Sequence, residues 1–171
     1  MERIVPTLEN PNPGSETQFW NEPYNADGKT VLKSWATNKF AVCSVLVVDD
    51  DPPIVRMVEH LLRDMGVTSI YKAYDGLEAL DYFADGVNVV DLVICDWQMP
   101  RMDGLAFHNT LRAMHLEIPF VMLTRLKSGD DIILAKKARV SAYITKPFTA
   151  AQFQEKVGIL LTKLLKKKES Q

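Results

Sequence analysis

The chain is poor in the features that would take it out of a reducing, aqueous compartment. Cysteine occurs twice in 171 residues, at Cys43 and Cys95, too few for a disulfide-stapled scaffold. Cys95 sits inside an apolar run and reads as a small reduced core residue. No apolar run approaches the roughly 18 residues of a membrane span. Met1 to Trp20 contain no apolar stretch of signal-peptide type, so a cytoplasmic location without membrane contact is expected. A net charge of −2 gives no general pull toward nucleic acid. No strand is followed by Gly-x-x-x-x-Gly-Lys or Gly-x-Gly-x-x-Gly, which argues against nucleotide binding. His60, His108 and His115 lack metal-ligand spacing and are expected at the surface or half-buried. Met99, Met102, Met114 and Met122 read as loop and core residues. There is no internal repeat and no low-complexity tract.

What the chain does have is a polar, proline-rich beginning followed by a regular pattern. Residues 1–41 hold Pro6, Pro11, Pro13, Pro23 and Gly28, which do not support regular elements. They form an N-terminal extension, largely irregular. Its aromatics, Phe19, Trp20, Tyr24 and Trp35, are numerous for a tether and could dock elsewhere.

From Ser44 onward, strands alternate with helices. Val45–Val48 is a buried strand ending in Asp49-Asp50-Asp51. Pro52 and Pro53 suit a helix start, and Ile54, Val58, Leu61, Leu62 and Met65 recur at helical spacing up to Gly66. Ser69–Ala73 is a second strand, and a helix carrying Leu77, Leu80, Phe83 and Ala84 follows Asp75-Gly76. Leu92–Cys95 is an apolar strand ending in Asp96, and the Pro100–Gly104 loop leads to a helix over Leu105–Met114, with Phe107, Leu111 and Met114 on one face. Phe120–Leu123 is a fourth strand, ending in Thr124. Ser128-Gly-Asp-Asp131 caps a fourth helix containing Ile132, Ile133 and Leu134. Ala142–Ile144 is a fifth strand, ending at Lys146-Pro147. Thr149 and Gln152 form a capping box for a fifth helix with stripe Phe153, Val157, Leu160, Leu161 and Leu164. Lys166 to Lys168 favour that helix's C-terminal dipole. Five strands alternating with five helices predict an α/β fold, a doubly wound five-stranded parallel sheet covered on both faces.

In a parallel sheet the strand ends share one edge. Asp49, Asp50, Asp96, Thr124 and Lys146 therefore converge, although they are far apart in sequence. An Asp after a strand is often only a cap or turn former, and Lys-Pro is often a turn; it is the conjunction that points to chemistry. Three close carboxylates repel one another, which raises their pKa values or demands a cation. An oxygen-only set with open positions suits Mg²⁺. A lysine and a hydroxyl beside it complete a cradle for a phosphoryl group, with Asp96 as the nucleophile that forms an acyl phosphate.

The segments Val45–Asp50, Asp96–Gly104, Val121–Thr124 and Tyr143–Phe148 resemble the receiver domain of bacterial response regulators, most of all the stand-alone chemotaxis type. The resemblance covers about Ser44 to Leu165 within a domain over 42–171. It implies a flavodoxin-like sheet of order 2-1-3-4-5 and phosphorylation of Asp96 by a histidine kinase or phosphotransfer protein. It implies Mg²⁺ held by Asp50, Asp96, the Gln98 main-chain carbonyl and Asp49, with Lys146 and Thr124 contacting the phosphoryl group. It also implies Tyr143 as the switch aromatic partnering Thr124, and a cis Lys146–Pro147 peptide. Trp97 and Gln98 adjoin the site and would modulate it. Arg125 departs from the family, which usually has a small residue there, and this puts phosphate lifetime and the movement of Tyr143 in question.

The resemblance further implies a signalling protein rather than a dedicated enzyme. Its output would be contact with a downstream protein at the face of the fourth helix, fifth strand and fifth helix, with the oligomeric state open between monomer and homodimer. A phosphatase using an aspartyl phosphate usually needs a second Asp where Gln98 stands. A phosphorelay shuttle, a receiver fragment of a longer regulator and a non-phosphorylated interaction module are the alternatives.

Overall fold

The computed structural model describes residues 39–84, 90–125 and 139–170. Five parallel strands form one sheet: β1 Ser44–Val48, β2 Ser69–Ala73, β3 Leu92–Asp96, β4 Phe120–Thr124 and β5 Ala142–Thr145. Their order is β2-β1-β3-β4-β5, as expected. The helices among the described residues are α1 Pro52–Asp64, α2 Gly76–Asp81, α3 Gly104–Ala113 and α4 Ala150–Glu169. The fourth helix expected from Ser128, with Ile132, Ile133 and Leu134, lies outside the described residues, so α4 here is the helix expected as the fifth. The extension's Phe19, Trp20, Tyr24 and Trp35 lie outside them too.

The unbroken apolar runs of β1, β3 and β4 follow from burial on both faces. Because side chains alternate along a strand, Val45, Val47, Leu92, Ile94, Val121 and Leu123 join one core, with α1 and α4. Leu46, Val48, Val93, Cys95, Phe120 and Met122 join the other, with α2 and α3. Phe40 is also buried in the first core, and the Cys43 amide donates to its carbonyl at 3.0 Å.

The helix signals act as expected at most ends. The prolines of α1 occupy its first two positions, and Val55, Val58, Leu61 and Leu62 are its buried residues. Gly66 stops it at φ 91°, a conformation glycine adopts without strain. Thr149 and Gln152 exchange both capping-box bonds at the start of α4. Two buried faces differ from expectation. In α2 Leu77 is 43 % exposed; this six-residue helix buries Ala79, with Leu80 and, beyond its end, Phe83 packed on the same core. In α3 the inward positions are Gly104, Phe107, His108 and Leu111. The helix ends at Ala113, before Met114 could return to that face, and His108 rather than Met114 is buried.

At the amino edge of the sheet, Asp91 Oδ2 accepts from the Ser44 amide at 2.8 Å and pairs with Lys168 Nζ at 2.9 Å. This ties the end of α4 to the base of β1 and β3. At the carboxyl edge, Gly104 is the tightest point. A Cβ there would lie 2.2 Å from the Asp96 carbonyl oxygen, and both atoms belong to backbone that is already bonded, the Gly104 amide donating to the Trp97 carbonyl at 2.9 Å. Gly104→Ala is therefore expected to destabilise the fold by roughly 3 kcal/mol, read as a lower urea midpoint. An unchanged midpoint would mean that the loop yields to the methyl group.

Candidate functional site

The site is assembled from the last residues of two strands and the residues that follow two others. Asp49 follows β1 and is fully buried, Asp96 closes β3 at 8 % exposure, and Thr124 closes β4 at 4 %. Lys146 lies just beyond β5. Its amide donates to the Thr124 carbonyl at 2.8 Å, continuing the β4–β5 ladder and aiming its side chain across the sheet edge. The Lys146–Pro147 peptide is cis.

The Lys146 ammonium sits 2.6 Å from Asp49 Oδ2 and 3.1 Å from Asp96 Oδ1. Asp49 Oδ1 accepts from the Asp51 amide at 3.0 Å, so both of its oxygens are bonded. Asp96 Oδ1 also accepts from the Trp97 amide at 2.9 Å. Asp96 Oδ2 receives no donor among the described residues. Asp50 is exposed beside them, and one carboxylate oxygen from each of Asp49, Asp50 and Asp96 falls within 4.8 Å of the others. Burial pushes the Asp49 carboxyl above its ordinary value, the charge of Asp96 adds to the push, and the Lys146 hydrogen bond and charge oppose it. An all-oxygen, acidic cluster with one exposed member suits a small hard cation such as Mg²⁺. Cys95 is no rival nucleophile, since burial holds its thiol well above the usual range.

The loop after β3 is braced from two sides. Asp103 caps α3 through the Ala106 amide at 2.7 Å. The Gly76 amide donates to the Met102 carbonyl at 3.2 Å, and the Arg101 guanidinium pairs with Asp75, the cap of α2. This brace was not legible in the sequence, where Asp75-Gly76 reads only as a turn; the sole hint is an acid placed as a helix cap. Of the remaining expected residues, Trp97 is half-buried beside Asp96, while Gln98 and Arg125 are exposed. Arg125 makes no ion pair among the described residues. Tyr143 packs partly against the α2–α3 core, its carbonyl accepts from Lys156 Nζ at 2.5 Å, and burial raises its phenol pKa.

The sequence profile of the response regulator receiver domain matches residues 45–158. The chain belongs to the response regulator receiver family. Chemotaxis protein CheY-3 of Vibrio cholerae is 38 % identical over 122 residues, covering 70 % of this chain and 92 % of that protein. Chemotaxis protein CheY of Pseudomonas aeruginosa is 37 % identical over 115 residues, covering 66 % and 91 %. Among solved structures, the receiver domain of Francisella response regulator 1452 superposes with a TM-score of 0.64 at 31 % identity, over 71 % of this chain and 98 % of that one. Vibrio cholerae CheY4 gives 0.61 at 31 %, over 69 % and 98 %. The receiver is thus similar to chemotaxis-type single-domain regulators, which are signalling proteins rather than dedicated enzymes. No helix among the described residues is long and apolar enough to cross a membrane.

Because Asp49 titrates in the folded receiver above its ordinary value of 3.8, its ionisation costs stability. That cost is absent below 3.8 and complete once the pH exceeds the raised value. Removing Lys146 takes away the main counterweight and raises the value further. Lys146→Ala is expected to stay folded but to lose about 3 kcal/mol at neutral pH, with the deficit shrinking as pH falls toward 3.8. Urea unfolding across pH checks this; a deficit that does not change with pH would place its origin in packing.

Proposed function

We propose that this chain is a phosphorylation-activated response regulator of a two-component system, taking a phosphoryl group on Asp96 and signalling by protein contact. The observation that carries the reading is the position of Lys146 Nζ within bonding distance of both Asp49 and Asp96, with Asp96 Oδ2 left without a donor among the described residues. That oxygen is the nucleophile. It attacks the phosphorus of a phosphohistidine on a histidine kinase or phosphotransfer protein. An O–P bond forms, the N–P bond breaks, and the leaving imidazole takes up a proton.

Asp49, Asp50, Asp96 and the Gln98 carbonyl are the oxygens that would hold Mg²⁺, which when bound neutralises charge on the phosphoryl oxygens. The Trp97 amide holds Asp96 Oδ1 and so orients Oδ2. Lys146 already contacts one oxygen of Asp96, and a new phosphoryl group on the other gives it a more highly charged partner. Such a contact, made in one state only, is what shifts a population. The hydroxyl of Thr124 donates to the same group, and Tyr143 follows Thr124 as the switch aromatic. The output is read by a downstream protein at the face formed by the segment expected as the fourth helix, β5 and α4.

Asp96→Asn is expected to abolish labelling by acetyl phosphate, which in the unaltered protein requires Mg²⁺. Undiminished acid-labile phosphate on the Asn protein would move the acceptor elsewhere. Arg125 is exposed at the lip of the site, where a guanidinium can pair with phosphoryl oxygens and obstruct the attacking water. Arg125→Ala is expected to shorten the acyl phosphate lifetime by about tenfold. A lifetime equal to that of the unaltered protein would show that the side chain is turned to solvent.

A further inference from the structure

At the amino edge of the sheet, on the side of the molecule away from Asp96, lies a cleft of about 330 Å³. Its volume falls at the lower end of small-ligand sites. Leu111, Leu116, Ile118 and Pro119 supply an apolar lining, and His108, Arg112, Arg139 and Ser141 supply the polar groups. His108 and Arg112 are four residues apart and share one face of α3. Arg139 stands at φ 55° just before β5.

Two features set this cleft apart from an incidental surface groove. His108 is 5 % exposed, packs edge-on against Phe120 at 4.8 Å, and has no hydrogen-bond partner for Nδ1 among the described residues. Burial and the nearby Arg112 hold the imidazole below its ordinary pKa, so it is neutral and carries one proton. With Nδ1 sealed from any partner, Nε2 is the ring nitrogen left to meet a ligand. The second feature is the charge. Neither Arg112 nor Arg139 pairs with a carboxylate among the described residues, and the one acid in the lining is Glu117, which leaves the cleft net positive. The Ser141 hydroxyl accepts from the Phe120 amide at 3.1 Å, so its own proton remains available to donate.

We propose that this cleft is a ligand site for a small organic anion, a carboxylate or phosphate monoester on a compact apolar or aromatic body. The guanidinium groups of Arg112 and Arg139 take the anionic oxygens, the Ser141 hydroxyl and the His108 N–H donate to them, and the body lies on Leu116, Ile118 and Pro119. Planar guanidinium forks suit both anion types. The site is separate from the phosphoryl chemistry at the opposite edge and goes beyond the function proposed above.

The test is a titration of the isotope-labelled full chain with phenyl phosphate or benzoate, in the absence of Mg²⁺, followed by NMR. Saturable shifts at His108, Leu116 and Ser141 are expected. In the Arg112→Gln, Arg139→Gln double variant the affinity is expected to fall at least about tenfold. His108→Phe keeps the ring against Phe120 and removes the N–H, and is expected to weaken binding several-fold. It decides the matter if the double variant loses its native dispersion. The proposal is overturned by the absence of saturable shifts up to about 10 mM probe, by shifts confined to the surroundings of Thr124 and Lys146, or by affinities that these substitutions leave unchanged.

Discussion

The contact on which this molecule turns is that of one ammonium group with two carboxylates. Lys146 Nζ reaches Asp49 and Asp96 at once, and each of the three arrives from a different part of the chain. Asp49 is set by β1, Asp96 by β3, and Lys146 by the backbone bond that extends β5 alongside β4. The sheet order brings β3 between β1 and β4, so a lysine 97 residues beyond Asp49 meets it directly. The register of the sheet and the chemistry of its edge are therefore the same constraint.

This contact is balanced rather than simply stabilising. Burying Asp49 opposes its charge, and Lys146 restores much of what burial removes. Buried ion pairs often return little net stability; here the pair holds acidic oxygens together at a site open on one side through Asp50. One ammonium against three carboxylates leaves the cluster acidic, and an exchange of that ammonium's partner needs no rebuilding of the sheet. The rigid elements around it support the exchange. The loop after β3 is fixed by Gly104 packed on the Asp96 carbonyl and by its bonds to α2, so the Asp96 carboxylate is held from a braced backbone.

The strands were legible because burial on both faces leaves an unbroken apolar run, and β1, β3 and β4 each have one. The main site residues were legible for a related reason: polar groups placed directly after such runs share an edge in any parallel sheet. What was hidden depended on contacts that leave no local pattern. Lys168 reads as a cation near a helix end, yet it also closes on Asp91, 77 positions earlier. Arg101 reads as a loop residue and in the fold secures the cap of α2. His108 reads as a surface or half-buried histidine because nothing in its spacing marks it, whereas in the fold it lies on the inward face of α3.

The anchoring of Lys168 to Asp91 has a practical side. It fixes the last turn of α4 at the base of the sheet, a strand length of roughly 17 Å from the Asp96 carboxylate. A fluorophore or affinity handle attached near that turn would stand clear of the carboxylates at the opposite edge. Its brightness would then follow the seating of the helix end on the sheet rather than the occupancy of the acidic edge.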